Sequence, residues 1–457
     1  MIDASGGWPQ GARHCLRLGA MNDKAIVEDH QDSFDVLVLQ ANLAVSARNA
    51  LSSWTAMRKP FWIDPVAYAF AAAPAYLMSE QKLKRGDPET QVTYKRTFKD
   101  LAEIYGAPFS LALQQRRSLD PGDFVPEDDR QVVQRMLEWQ RTVLSSPPED
   151  AKFFDDGEVA REPVLLTVPY FPLQSSAEGE LEPAWLAVNL RLLDAAAATY
   201  ERNRLAAGLL IEESLFDSQH EFDQVRQTYE TVPADHIWLW VSDNEEIDMT
   251  IPRAQRLREL VRQLRASGKQ VHQAFGGSFS SLLLRDGLTS VGHGVSYWEH
   301  KSWEPLAGGG LPTLRYFYPP LGQRLRFLDV DALVDALVSD AEDFHEGVCG
   351  CEVCRTTLDG DLANFASYGA VAVRERRDRS GRVVEYDVPQ SLALTLSKRH
   401  YLCAKAREVT RILADDFDPA VHLSLQIERH ERGQQIVDPG HLKVWRAALA
   451  ESVGAQA

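Results

Sequence analysis

The chain has little cysteine, an excess of acid over base and no long apolar run, and each of these absences removes a class of protein. Five cysteines in 457 residues exclude a disulfide scaffold. Lys and Arg together number 49 against 66 Asp and Glu, a formal net charge of −17. That balance argues against a general, charge-driven nucleic-acid binder, although a local basic patch can still meet phosphate. The most apolar window, residues 60–77, is broken by Asp64, Pro65 and Pro74 and does not read as a membrane span. Residues 1–35 are polar and lack an apolar stretch of the signal-peptide kind, so a cytoplasmic protein is expected. No GxGxxG follows the first strand-like run, which disfavours a dinucleotide fold. No HxH occurs anywhere, which disfavours a metal-dependent hydrolase barrel.

What is present suits a large soluble fold. The chain is 44% hydrophobic and 25% charged, enough to bury a substantial core. Short runs that are apolar on both faces recur at 34–40, 60–63, 164–170, 207–211, 236–241, 270–275, 290–296 and 313–318. Parallel strands buried on both sides have this character, and several of these runs are separated by segments with helical spacing. Eight such strands predict an α/β fold, a (β/α)8 TIM-type barrel over 34–345, with its active site at the C-terminal strand ends. Residues 1–33 read as a polar N-terminal extension. The interval at about 79–161 is too long for one crossover and reads as a helical insertion over the barrel mouth. Residues 346–457 read as a zinc-binding subdomain followed by C-terminal helices, with a hairpin near 370–388.

Three cysteines crowd into six positions, Cys349, Cys351 and Cys354, as CxCxxC. Clustered thiolates repel one another, and a dication relieves the repulsion. A closed tetrahedral zinc site needs a fourth ligand. His400 is the first choice, with Cys403 one helical turn later and His345 upstream as reserves. A full Cys3His shell has no open position, so the expected zinc is structural. The bland alternative is a set of reduced, buried thiols.

A cysteine triplet of this form after a barrel, with a distal helical histidine, resembles the tRNA-guanine transglycosylase (queuine tRNA-ribosyltransferase) family. Those enzymes are zinc-containing barrels that exchange guanine for a 7-deazaguanine base. The run KPFWID at 59–64 is similar to the family strand ending in the aspartate of DSGGFQ, and QAFGGSFSSLL at 273–283 is similar to its GVG…LL segment. The resemblance implies base contacts from Asp64, Glu212, Gly276 and Gly277, while His293, between Gly292 and Gly294, is either a further base contact or a satisfied core histidine. It also implies a homodimer formed through the zinc region.

The departures are as informative. Where the family has SGGFQ, this chain has Pro65-Val66-Ala67-Tyr68-Ala69. Gly292 stands where the family's nucleophilic aspartate is expected. Asp64, Asp243 and Glu246 are the candidate catalytic acids if the chemistry has relocated, and the plain alternative for Glu245 and Glu246 is capping of helices. Tyr316, Phe317 and Tyr318 stack on a ligand or simply pack. Arg374, Arg376, Arg377, Arg379 and Arg382, interleaved with Glu375 and Asp378, offer a surface to tRNA, DNA or a protein partner, or else form a solvated hairpin. The degenerate motif resembles the transglycosylase-like component of type IV CBASS anti-phage operons. It implies a protein that recognises a 7-deazaguanine group after losing base exchange. The alternative is an active transglycosylase on tRNA or DNA.

Overall fold

In the computed structural model, residues 7–52, 59–82, 90–145, 162–175, 181–295, 302–304, 314–370, 373–377, 381–433 and 435–450 are described. In chain order the strands are β1 (His14–Leu18), β2 (Val36–Gln40), β3 (Phe61–Asp64), β4 (Met78–Lys82), β5 (Thr90–Tyr94), β6 (Leu166–Thr167) and β7 (Leu205–Glu212). There follow β8 (His236–Ser242), β9 (Gln270–Gln273), β10 (Ser290–Gly294), β11 (Arg315–Tyr318), β12 (Gln323–Arg326), β13 (Val373–Arg377) and β14 (Val383–Asp387). Eight of them close a parallel barrel in the order β1-β10-β9-β8-β7-β6-β3-β2. The fold is a TIM-type barrel.

One strand of the expected eight is misassigned. The run at 313–318 does not enter the barrel: β11 pairs antiparallel with β12 in a separate two-stranded sheet. The missing member is β1, in the segment read as a polar extension, and it seals the barrel between β10 and β2. Its sequence HCLRL carries two polar side chains, His14 and Arg17, yet all five residues are buried. A search for apolar runs passes over such a strand because its polar groups are satisfied inside the fold.

The barrel interior is filled by rings. Trp62 meets Trp238 edge-on at 4.3 Å and His272 at 5.4 Å, while Trp8 packs on His272 at 4.2 Å at the N-terminal strand ends. Gly208 in β7 makes room for Tyr170, whose Cγ would lie 2.1 Å from a Cβ placed there. A packed lumen of this kind leaves chemistry only to the strand ends.

The insertion between β3 and β6 holds the β4–β5 hairpin and helices Arg96–Tyr105, Ala107–Gln114 and Pro126–Thr142. It leans on the chain that follows β3. Phe70 packs among Phe98, Tyr105 and Phe109, and the Tyr105 hydroxyl donates to the Pro65 carbonyl at 2.5 Å. After β12 come short helices, the cysteine cluster, the β13–β14 hairpin and the long helix Ser391–Leu413. That hairpin pairs Val373 with Asp387 through Arg377 with Val383. The side chains of Arg374, Arg376 and Arg377, and all of Arg379, lie outside the described residues. Among the described residues no helix is long and apolar enough to cross a membrane.

Candidate functional site

Two polar clusters carry chemistry: one at the barrel mouth, one beside it in the C-terminal subdomain.

At the mouth, Asp64 ends β3 and is fully buried. A lone carboxylate in FWIDPVAYAF needs a partner, and β1 supplies it: Arg17 Nη2 donates to Asp64 Oδ2 at 2.8 Å, with the arginine only 3% exposed. Tyr170 and Tyr68 add hydroxyl donors at 3.1 and 3.4 Å, and the Val66 amide donates at 3.1 Å. Burial holds both phenols well above their ordinary value, so they stay protonated and donate. Val66 adopts φ 56°, ψ 24°. A β-branched residue in this left-handed region stores strain of roughly 1–3 kcal/mol. The hydrogen bond from its amide to the Asp64 carboxylate helps to offset that strain.

Arg17 is the residue sequence reasoning missed. Its guanidinium lies 4.2 Å from the centre of the Phe275 ring, and its Nη1 is buried without a hydrogen-bond partner among the described residues. A cavity of about 60 Å3 has Arg17, Asp23, Gln40, Phe275, Gly294 and Val295 in its lining. The only sequence signal was a five-residue run, HCLRL, in which Arg17 stands between two leucines.

The other expected mouth residues are otherwise engaged. Glu246 caps the short helix Ser278–Leu282, accepting from the amides of Gly277, Phe279 and Ser280 at 2.8, 2.7 and 3.2 Å and from the Ser280 hydroxyl at 2.5 Å. Four donors and the positive helix end fix it as a cap, not a relocated nucleophile. The Gly277 amide is thereby used, and the Gly276 amide donates to Gly292 O at 2.8 Å, so neither is left to hold a base. His293 has the surroundings of a satisfied core histidine. Its Nε2 sits 2.5 Å from His14 Nε2 and its ring packs on Tyr401 of the long helix, against the C-terminal subdomain. Burial pushes His14 down to about 4 and His293 well below its ordinary value, so both are neutral near pH 7.

Glu212, at the end of β7, accepts from Gln174 Nε2 at 2.6 Å and Trp303 Nε1 at 3.2 Å. Asp243 is exposed, with φ 59°, and accepts from the Ser242 hydroxyl at 2.7 Å. Gly292 has no room for a side chain. A Cβ there would lie 2.9 Å from the Gln273 carbonyl oxygen and 3.0 Å from that of Ala274.

In the C-terminal subdomain, the ligand atoms of Cys349, Cys351, Cys354 and His400 all lie within 4.8 Å of one another, and all four residues are buried. The cysteines lie around the N-terminus of the helix Glu352–Thr356, and His400 projects from the buried face of Ser391–Leu413. His400 Nδ1 is 3.4 Å from Cys351 Sγ and 3.3 Å from Cys354 Sγ. Tetrahedral arms of about 2.3 Å to sulfur and 2.0 Å to nitrogen would set S and N about 3.5 Å apart. Nε2 donates to the Phe317 carbonyl at 2.7 Å, which leaves the Nδ1 lone pair facing the sulfurs. Tyr316 stacks on the imidazole at 3.9 Å, and its hydroxyl lies 3.0 Å from Cys354 Sγ. The 316–318 aromatics therefore pack the cluster and the C-terminal helices. The donor set fits a metal ion, and His400 completes it. Cys403 and His345 stand outside: Cys403 faces His30 at 3.4 Å, and His345 Nδ1 is buried without a hydrogen-bond partner among the described residues. Hydrogen bonds from Cys351 and Cys354 hold Cys349 well below its ordinary value, while burial raises Cys354.

No family model matches the chain, and no curated protein matches it. Among solved structures, a Haloferax volcanii malate synthase in a pyruvate/acetyl-CoA ternary complex aligns over 96% of this chain and 97% of that chain, at 9% identity and a TM-score of 0.17. That similarity is too low to carry an argument about function.

Proposed function

We propose that the chain is a transglycosylase-like barrel that recognises a 7-deazaguanine group without exchanging it. One observation carries the reading. The position of the expected nucleophile, Gly292, is crowded by the backbone oxygens of Gln273 and Ala274. An acid cannot return there without moving β9, and covalent attack on a ribose carbon needs such an acid. The neighbouring acids give no ready substitute, because Asp64 accepts four hydrogen bonds and Glu246 is a cap.

Recognition is assigned to the cavity at Arg17. Arg17 lines it, and its guanidinium would donate to a carbonyl oxygen of the heterocycle, with the Phe275 ring beside it. The cavity admits the edge of a ring, which suits a base presented on a larger molecule. In the Cys3His cluster we assign zinc, held by Cys349, Cys351, Cys354 and His400. The ion would neutralise the thiolates and tie the helix Ser391–Leu413 to the segment after the barrel, in a structural role. The β13–β14 hairpin is the candidate contact for the carrier, whether tRNA, DNA or protein. Anti-phage defence is the setting that the resemblance to CBASS components would imply for such recognition.

Calorimetry with free 7-deazaguanines, paired with incubation on guanine-labelled tRNA and DNA, tests the reading. Saturable binding with no release of label is expected, and Arg17→Ala should abolish binding while Asp243→Asn leaves it. Release of label would restore the enzyme reading; no binding would end the recognition reading.

A further inference from the structure

A second cluster of unlike ligands lies against the first, built from three distant parts of the chain. His30 follows the short helix Lys24–Asp29 between β1 and β2, Glu352 opens the helix after Cys351, and Cys403 lies three residues beyond His400. One ligand atom from each lies within 4.8 Å of the other two. The Cys403 Sγ to His30 Nδ1 separation is 3.4 Å, the same as that between Cys351 Sγ and His400 Nδ1 in the Cys3His cluster. Both match the separation that a tetrahedral ion imposes on sulfur and nitrogen, about 3.5 Å.

We propose that His30, Glu352 and Cys403 bind a second divalent d-block cation, with its fourth position open to solvent. The donor set selects the class. Thiolate and imidazole favour zinc-like ions and disfavour magnesium or calcium, which seek oxygen. Three protein ligands leave one place for water, unlike the closed neighbouring shell. Access is built in: Cys403 is only 7% exposed and His30 is half-buried, but Glu352 is exposed, so an ion reaches the pair from that side. The imidazole is not claimed elsewhere, because His30 Nε2 is buried without a hydrogen-bond partner among the described residues. Charge also permits two ions at close range. Three thiolates against one dication leave the first shell net negative, which attracts a second cation.

The consequence is a clasp. Lys398 pairs with Asp23 at 2.7 Å and Arg399 pairs with Asp29, so the link between β1 and β2 already docks on the long helix. A cation on His30 and Cys403 would fasten the start of the barrel to the subdomain that holds the first ion. The inference does not depend on the recognition of any base.

The test is metal stoichiometry of the purified full chain, dialysed against buffered Zn2+ and read by elemental analysis. Two zinc per chain are expected, falling to one in His30→Gln and in Cys403→Ser. Co2+ loading should show two sets of thiolate-to-cobalt bands, and the weaker-binding set should vanish in both variants. One zinc per wild-type chain at saturation would overturn the proposal, as would two zinc retained in His30→Gln. His30 lies outside the helix bearing His400, so a preserved first ion in His30→Gln reports an intact fold. Glu352→Gln should keep both ions but weaken the second about tenfold or more, and unchanged affinity would remove Glu352 from the site.

Discussion

The Asp64 carboxylate at the barrel mouth and the Cys3His cluster are both buried and polar, yet the carboxylate is satisfied within the chain and the cluster is not. At the mouth, Asp64 is met by a guanidinium, two phenols and an amide. In the C-terminal cluster, three sulfurs and an imidazole nitrogen converge, and the group nearest to a further donor is the Tyr316 hydroxyl. Buried polar groups must be paired, so the carboxylate needs nothing further and the sulfur cluster calls for an ion. A self-satisfied carboxylate is a poor attacking group. An unsatisfied set of soft ligands is a good metal site.

The contrast breaks first at the metal. Chelation, or Cys351→Ala, should unfold the C-terminal subdomain while the barrel strands persist, because structural zinc is worth roughly 10–16 kcal/mol of folding in small metal modules. Hydrogen exchange would show protection lost in Ser391–Leu413 and retained in β7 and β8. Unchanged protection after metal removal would make the cluster an ordinary thiol core. The mouth comes next. Arg17→Ala leaves Asp64 buried and uncompensated and should cost about 3–5 kcal/mol, read as a lower denaturant midpoint. Arg17→Met with Asp64→Leu should recover most of that loss, since replacing both members of a buried pair is often neutral. If the double variant is as weak as the single, the pair is not a closed unit. A smaller effect is expected at Gly292→Ala, roughly 1–3 kcal/mol from the forced shift of β9. A thermal midpoint equal to the wild type would show that the position has room, and would reopen the case for a nucleophile there.

The same contrast explains what the sequence made legible. Cys349, Cys351 and Cys354 sit within six positions, and a thiol cluster that dense has few bland explanations, so a candidate metal site could be read directly, with His400 the first choice among three possible distant partners. Seven barrel strands were visible because each is a short run without a charged residue in its middle. β1 was not, because Arg17 interrupts it, and the residue that justifies the interruption, Asp64, lies 47 positions away. Local pattern cannot show a charge neutralised at that distance. The 313–318 run filled the vacancy in the count by having the same apolar character, since burial against the metal subdomain selects the same residues as burial in a barrel. The partners of Glu246 and His293 were hidden for the reverse reason, which left two readings open for each. Both are polar groups at strand ends, but their partners, the amides at 277–280 and the imidazole of His14, are set by the path of loops and of β1.

The smallest expected effect concerns the histidines in the barrel wall and its N-terminal end. Burial pushes His236 down to about 4, beneath Trp8 and beside His272, which burial also lowers. A histidine whose native value is depressed takes up protons more readily in the unfolded chain, so its contribution to stability is present above about pH 6.5 and is lost as pH falls toward 4. In that window each such group contributes a slope of up to about 1.4 kcal/mol per pH unit. His236→Asn should therefore lower stability at pH 7 slightly and flatten its decline between pH 6.5 and 5, with metal content unchanged. His236 belongs to the barrel end opposite the mouth, so the flattening separates acid sensitivity of the barrel from acid release of the ion. An identical slope in the variant would mean that His236 protonates in place, and that the interior at Trp8 is open to water.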